Sequence, residues 1–236
     1  MQAIVIVSWS GGQGWTEHCL SGLQPIHKYT EYPVIVAIND YLNADKAWVK
    51  SLKKEYEIYP IERDAYEMGV IKGIYEDYPE IEEFWTIQAT VFIKTPLFIL
   101  ESFVKWKDIP VSYSIDYPYE CYLGKWIRSG LDKIEIPESH SKKDAMLWEW
   151  KFPMTFLAQF ETFIGIDNTW HTQSPRNYLG TIMGQERFVQ EGSQVIKYKS
   201  VTDESGNIPD WWGDRERDSF FNSWRENERR LHRRNV

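Results

Sequence analysis

The sequence predicts an α/β fold, a mostly parallel sheet flanked by helices, followed by an irregular carboxy-terminal half and a terminal helix. Two observations predict it. Short, wholly apolar runs alternate with amphipathic stretches over residues 3–93, as in sheets whose strands are buried on both faces and joined by crossover helices. Each apolar run also stops abruptly at small or polar residues, which marks strand ends. With 236 residues, 42% of them hydrophobic and 26% charged, the chain is long and apolar enough to bury a sizeable core.

Ala3–Val7 (AIVIV) is the first expected strand, stopping at Ser8-Trp9-Ser10 and the loop Gly11-Gly12-Gln13-Gly14. Trp15–Leu23 reads as a helix with Leu20 and Leu23 inward and Gly14 or Thr16 near its cap. Pro33–Ile38 is the second strand, ending at Asn39-Asp40, and Ala44–Tyr56 an amphipathic helix bearing Trp48, Val49 and Leu52. Glu57–Ile61 and Ala65–Tyr75 give the third strand and helix. Phe84–Ile93 then reads as one buried strand with a polar island, Gln88-Ala89-Thr90, at its heart. Buried polar groups there need partners, because each left unsatisfied costs about 1–3 kcal/mol.

Beyond Pro110 the pattern is less regular. Val111–Asp116 is expected as a strand, 117–131 as aromatic and irregular, Asp144–Phe163 as helical with a break possible at Pro153, and Gln194–Tyr198 as a short last strand. Residues 1–200 are therefore expected as one domain with two halves, 1–95 regular and 96–200 less so. Residues 201–236 are expected as a linker and a helix over Ser219–Arg234.

Composition narrows the function. A net charge of −8 argues against broad affinity for nucleic acid. Yet Arg215–Arg234 carries seven arginines, which suit either a solvated helix or a phosphate-binding tail. Twelve Trp and 14 Tyr favour core packing, and also rings on which sugars or bases stack. Two cysteines make neither a disulfide framework nor a metal site by themselves, so a reducing cytoplasm is the expected compartment. MQAIVIVSWSGG lacks a basic leader and a cleavage site and is expected as a strand, and no apolar run has the length of a membrane span.

Ligands of parallel sheets sit outside the carboxyl ends of the strands. Here those ends carry Ser8–Gly14, Asn39-Asp40, Glu62–Asp64 and Gln88–Thr90. The glycine loop is not a P-loop, because no Gly-Lys-Ser/Thr follows. As a dinucleotide fingerprint it supplies Gly12 and Gly14, with Glu17 where the third glycine belongs. A tight turn and a backbone cradle for a nucleotide both remain open. Asp40 is placed to take ribose hydroxyls or a base N–H, and equally to form an Asx turn or cap the next helix.

IVIVSWSG with WTEHCLSGL, PVIVAIND, and AYEMGVIKGIYEDYPEIEEFWTIQATVFIK, in that order and spacing, resemble GT-A-type glycosyltransferases, in particular small viral and bacterial sequences of that kind. LGKWIRSGL and QERFVQEGSQVIKYKS resemble the later part of the same group, so the likeness runs from Ala3 to Ser200. It implies a GT-A-like fold, a nucleotide-sugar donor (a UDP-sugar above all) and transfer of the sugar to an acceptor hydroxyl on a glycan, a small molecule or a modified DNA base. It implies Ser8, Trp9, Ser10, Asn39, Asp40, Arg63 and Asp64 around the nucleoside, and Gln88, Ala89 and Thr90 along the diphosphate. Asp116 or Glu149 is the implied base toward the acceptor. His171 falls where some such enzymes place a metal or phosphate ligand, and a loop histidine without function reads equally well.

One departure stands out. Where the group carries an Asp-x-Asp motif for Mn²⁺ or Mg²⁺, this chain has Ala89, which ligates nothing. Either the ion is absent, or other residues hold it, or catalysis is lost. Without it, cations and N–H donors must hold the diphosphate, with Arg63, Lys94, Lys125, Arg128, Arg176, Lys197 and Lys199 as candidates, most of which also read as ordinary surface charges. Two rival readings follow: a catalytically silent binding protein, from Ala89, and a viral transferase acting on DNA bases, from the arginine-rich terminus. A nicotinamide dehydrogenase is a third, weakened by the incomplete fingerprint.

Overall fold

The structure is a computed structural model that describes residues 1–63, 65–113, 123–138, 141–166 and 176–200. Its elements in chain order begin with β1 (Gln2–Trp9), α1 (Gln13–Tyr29), β2 (Val34–Asn39), α2 (Lys46–Leu52), β3 (Glu57–Pro60), α3 (Tyr66–Asp77), β4 (Glu83–Gln88) and β5 (Val91–Ile93). There follow α4 (Leu97–Val104), β6 (Val111–Tyr113), β7 (Leu123–Ile127), α5 (Arg128–Leu131), α6 (Lys142–Leu157), β8 (Ile164–Ile166), β9 (Arg176–Ile182), β10 (Gln185–Glu191) and β11 (Val195–Ser200). The chain separates into two compact units, Met1–Lys199 and Ser200–Val236.

Seven strands form the central sheet in the order β3-β2-β1-β4-β7-β6-β8. β3, β2, β1 and β4 run parallel, β7 alone runs antiparallel between β4 and β6, and β6 and β8 run in the direction of β4 again. The register aligns the ends of the parallel strands: Trp9 faces Asn39, Val7 faces Gln88 and Ile38 faces Pro60. That end is termed the carboxyl edge below, and the opposite one the amino edge.

Alternate residues of β1 serve opposite faces, as strand geometry requires. Ile4 and Ile6 join Trp15, Leu20 and Leu23 of α1, Trp48 of α2 and Phe98 of α4 in one buried core. On the β7 side, Trp126 lies 5.5 Å from Phe152 and 5.0 Å from Phe156 of α6, which also packs on α3. Among the described residues, no helix is long and apolar enough to cross a membrane.

The expected strand Phe84–Ile93 is two strands in two sheets. The Ala89 N–H still bonds to Val7 O of the central sheet at 2.9 Å, whereas Thr90 O already accepts from the Tyr198 N–H at 2.9 Å. The chain thus changes sheets at Ala89-Thr90, and β5 opens a four-stranded sheet, β5-β11-β10-β9. An apolar pattern continuous on both sides of the corner conceals the change, because both strands are buried.

Other boundaries move for local reasons. α1 runs through Pro25 to Tyr29, since Leu23 and Ile26 carry its buried face past the proline. α6 likewise continues through Pro153, starting from Ser141, whose Oγ accepts the Asp144 N–H at 3.1 Å. β7 lies within the stretch expected to be irregular, and the β9–β10 hairpin, turning at Met183-Gly184 with φ of 51° and 73°, was not expected. Glycine at 22 permits close docking of α1 on β5, for a Cβ there would lie 2.6 Å from Ile93 O. The expected helix Ser219–Arg234 lies outside the described residues.

A candidate site at the carboxyl edge

The turn after β1 is built from its own small residues. The Gly12 N–H donates to Trp9 O at 2.8 Å, and a Cβ at Gly12 would lie 2.9 Å from both Ser8 Oγ and Trp9 Cε3, so only glycine fits. Ser8 is buried, its Oγ 2.6 Å from Thr16 Oγ1, and the Thr16 hydroxyl lies 2.8 Å from Gly12 O. The glycine loop is therefore a tight turn pinned to the first turns of α1. Trp9 and Ser10 remain half-exposed above it.

Asn39 ties three elements together at the end of β2. Its Nδ2 donates to Ser8 O at 3.0 Å, and its Oδ1 accepts the Ala65 N–H at 2.9 Å just before α3. Asp40 follows in the left-handed region, φ 55°, a conformation Asp tolerates better than most residues. Its two carboxylate oxygens accept from Ser10 Oγ at 2.9 Å and Asn43 Nδ2 at 2.7 Å. The backbone N–H of Asp40 donates to Arg63 O at 3.3 Å, which brings residue 63 to the same edge. The Arg63 guanidinium itself reaches Glu138 at 3.9 Å. Next to Asp40, a groove of about 420 Å³ is lined by Tyr41, Leu42, Lys46, Lys50 and Lys53, with Lys53 Nζ 5.8 Å from the Tyr41 ring centre.

The polar island at the end of β4 finds its partners in a single network. Gln88 Nε2 donates to Glu67 of α3, and Gln88 Oε1 accepts from the ammonium of Lys197, which also donates to Thr90 Oγ1 at 2.9 Å. A carboxylate on one side and an ammonium on the other fix which way the amide points. Lys197 sits on β11 opposite Val91, so the second sheet delivers it to this corner. Behind the network, Cys19 of α1 is fully buried and burial pushes its thiol up to about 12, so it is neutral at ordinary pH. The second sheet is seated by rings: His18 stacks on Phe92 at 4.5 Å, and the Arg187 guanidinium lies 4.8 Å from the centre of the Trp15 ring. Burial holds the His18 imidazole below its usual range.

Ser8, Trp9, Ser10, Asn39, Asp40, Arg63, Gln88 and Thr90 are thus gathered at one edge. Asp64, Asp116 and His171 lie outside the described residues. Glu149 is half-buried on α6. The ring of Phe156, seven residues on, packs against Trp126 near the amino edge, so Glu149 lies about 10 Å along the helix axis from that level. Of the candidate cations, two are not at the site. Lys125 Nζ is buried near the amino edge, bonded to Glu83 at 3.1 Å and to Ser102 O and Trp106 O. Arg128 is likewise held by the carbonyls of Tyr75, Tyr78 and Ile81. Lys94 pairs with Glu191 at 3.1 Å. Strand pairing sends Lys125 and Lys197, both buried, to different edges, and sequence gives sign without position. Glu67, within the helix that the resemblance marked, had no role assigned to it.

Among the described residues, the donors at this corner do not fit a divalent cation. Mn²⁺ and Mg²⁺ want several oxygen ligands, carboxylates above all. The strand end offers an amide, a methyl group and a hydroxyl, with an ammonium bonded to two of them, and the carboxylate of this network, Glu67, accepts from the amide. Among the described residues no three His, Cys, Asp or Glu side chains are grouped to hold a metal ion.

No protein-family model matches the sequence, and no curated protein matches it. Solved structures do. The chain is similar to residues 1–349 of S. aureus TarS, with a TM-score of 0.52 and 13% identity over 71% of this chain. It spans 58% of that TarS chain. It is also similar to the galactosyltransferase LgtC, with a TM-score of 0.45 and 10% identity, covering 67% of this chain and 69% of that one. A third is a glycosyltransferase involved in the glycosylation of the major capsid of PBCV-1, with a TM-score of 0.37 and 14% identity, covering 70% and 81%. By the TarS likeness and its own sheet order, this chain carries a GT-A-like fold.

Proposed function

We propose that the protein is a glycosyltransferase that binds a nucleotide-sugar, a UDP-sugar in particular, at the carboxyl edge and moves the sugar to an acceptor hydroxyl. The observation that supports this most is the convergence of Trp9, Ser10 and Asp40 with the Gln88–Thr90 corner on one edge of a GT-A-like sheet. In this reading Trp9, Ser10, Asp40 and residues 63–64 surround the nucleoside. Asp40 offers a carboxylate already aimed by Ser10 and Asn43. Ser8 and Asn39 have their side-chain atoms engaged within the fold, and act by holding β1, β2 and α3 in register.

Gln88 and Thr90 line the diphosphate. In the transfer the bond from the anomeric carbon to the diphosphate oxygen breaks, and the nucleoside diphosphate leaves with the electron pair. The acceptor oxygen bonds to that carbon and its proton passes to a carboxylate, Asp116 or Glu149. The leaving diphosphate gains charge in the transition state, so donors fixed at the strand end favour departure.

Titration of the protein with UDP and UDP-glucose, followed by calorimetry and thermal shift, tests this reading. Ligand at 100 times Kd is expected to stabilise the fold by about 2.7 kcal/mol. No binding of any nucleoside diphosphate at millimolar concentration would overturn it. Binding without transfer or hydrolysis would instead make this a silent member of the fold.

A further inference from the structure

We propose that the Lys197 ammonium supplies, at the carboxyl end of β4, the positive charge that faces the diphosphate, so that this protein binds nucleoside diphosphates without a divalent cation. The inference rests on the nucleotide-sugar reading above and names the cation of that site.

Three observations carry it. The first is position. Lys197 donates to Gln88 Oε1 and to Thr90 Oγ1 at 2.9 Å, the two polar side chains of the strand end assigned to the diphosphate. The second is depth. Lys197 is only 5% exposed, whereas Gln88 and Thr90 in front of it are half-exposed. Water screens such a charge far less than it screens one on the surface, so a phosphate docking on Gln88 and Thr90 feels it strongly. The third is exclusion. Ala89, 1% exposed and held by its N–H to Val7 O, offers no ligand, and a fixed ammonium beside Thr90 repels a metal ion.

Glu67 has a part in this arrangement. By accepting from Gln88 Nε2 it turns the amide oxygen toward the lysine, so the ammonium is held in place by an oriented dipole. The register of β11 on β5 places Lys197 at this corner, because Val91 opposite it follows directly on Thr90. A lysine on β11 is thereby presented to the end of a strand in a different sheet.

The test is calorimetric titration of the full chain with UDP, once in EDTA and once in excess MnCl₂. The expected result is the same affinity within about twofold in both. Lys197→Met is expected to bind at least tenfold more weakly (about 1.4 kcal/mol) in EDTA, and Lys197→Arg to keep most of the affinity. Circular dichroism and thermal melting establish that each variant is folded. Should Lys197→Met not fold, Lys197→Gln, which keeps a donor and removes the charge, takes its place, and UDP affinity unchanged in the folded neutral variant overturns the inference. UDP binding to the wild type that requires Mn²⁺, or tightens tenfold with it, overturns the inference and leaves the nucleotide-sugar reading standing. Absence of UDP binding in both buffers overturns the reading itself, and the inference with it.

Discussion

The two edges of the central sheet each bury a lysine, and they use it differently. At the amino edge Lys125 meets the Glu83 carboxylate at 3.1 Å, with side chains 0% and 1% exposed, and spends its remaining donors on two backbone carbonyls. Burial drags its pKa down and Glu83 opposes that. Such a pair is closed: it joins β4, β7 and the end of α4 and faces nothing outside. At the carboxyl edge Lys197 meets an amide oxygen and a hydroxyl that themselves reach the surface. The comparison teaches that a buried charge serves architecture when its partners are all internal. It becomes available to a ligand when its partners themselves reach the surface.

The largest expected effect breaks the closed edge. Lys125→Met leaves the Glu83 carboxylate buried without its cation, and is expected to cost about 3–5 kcal/mol in urea unfolding. Pairing it with Glu83→Gln is expected to recover much of that loss. Equal destabilisation by the double variant would mean that packing at this point, and not charge, is what matters.

Next in size is the seat of the second sheet. Gly22→Ala places a Cβ 2.6 Å from the Ile93 carbonyl, so β5 must shift. Overpacking of this kind costs about 1–3 kcal/mol, which exceeds the roughly 1 kcal/mol alanine gains in helix propensity. An increase in melting temperature would show that α1 and β5 are less tightly docked than their geometry indicates.

At the open edge, Asp40→Asn is expected to leave stability nearly unchanged, because Asn also tolerates the left-handed conformation. UDP affinity is expected to fall about tenfold, or about 1.4 kcal/mol. A fall in stability without a change in affinity would return Asp40 to a purely local Asx turn.

The smallest effect concerns His18, where the second sheet meets α1. Burial lowers its pKa, so the unfolded chain takes up the proton first as pH falls. Stability is therefore lost from the unfolded value of 6.5 downward and stops falling below the lowered folded pKa. His18→Phe, which keeps a ring on Phe92, is expected to flatten the decline in melting temperature between about pH 7 and about pH 5. An unchanged slope would place the titration elsewhere.

Much of this was legible in sequence. The runs AIVIV and PVIVAI are apolar throughout, so β1 and β2 and their polar ends could be read in order, and with them the convergence of Ser8, Trp9, Ser10, Asn39, Asp40 and Gln88. What could not be read was depth and direction. Nothing in FWTIQATVFIK marks Ala89-Thr90 as a corner between sheets, because the chain is buried on both sides of it. Lys125 and Lys197 carry the same charge in similar apolar runs, LGKWI and VIKY, and only strand pairing sends one to each edge. The first helix reads only to Leu23 and a break is possible at Pro153, yet both helices continue through their prolines because buried residues beyond them keep the turns in place.

The most direct test of the central claim is a crystal structure of the protein with UDP bound in the absence of divalent metal. The account predicts the nucleoside between Trp9 and Asp40, and diphosphate oxygens within hydrogen-bonding distance of Thr90 and beside the Lys197 ammonium. UDP seated on any other face, or bound there only through a metal ion, would contradict it.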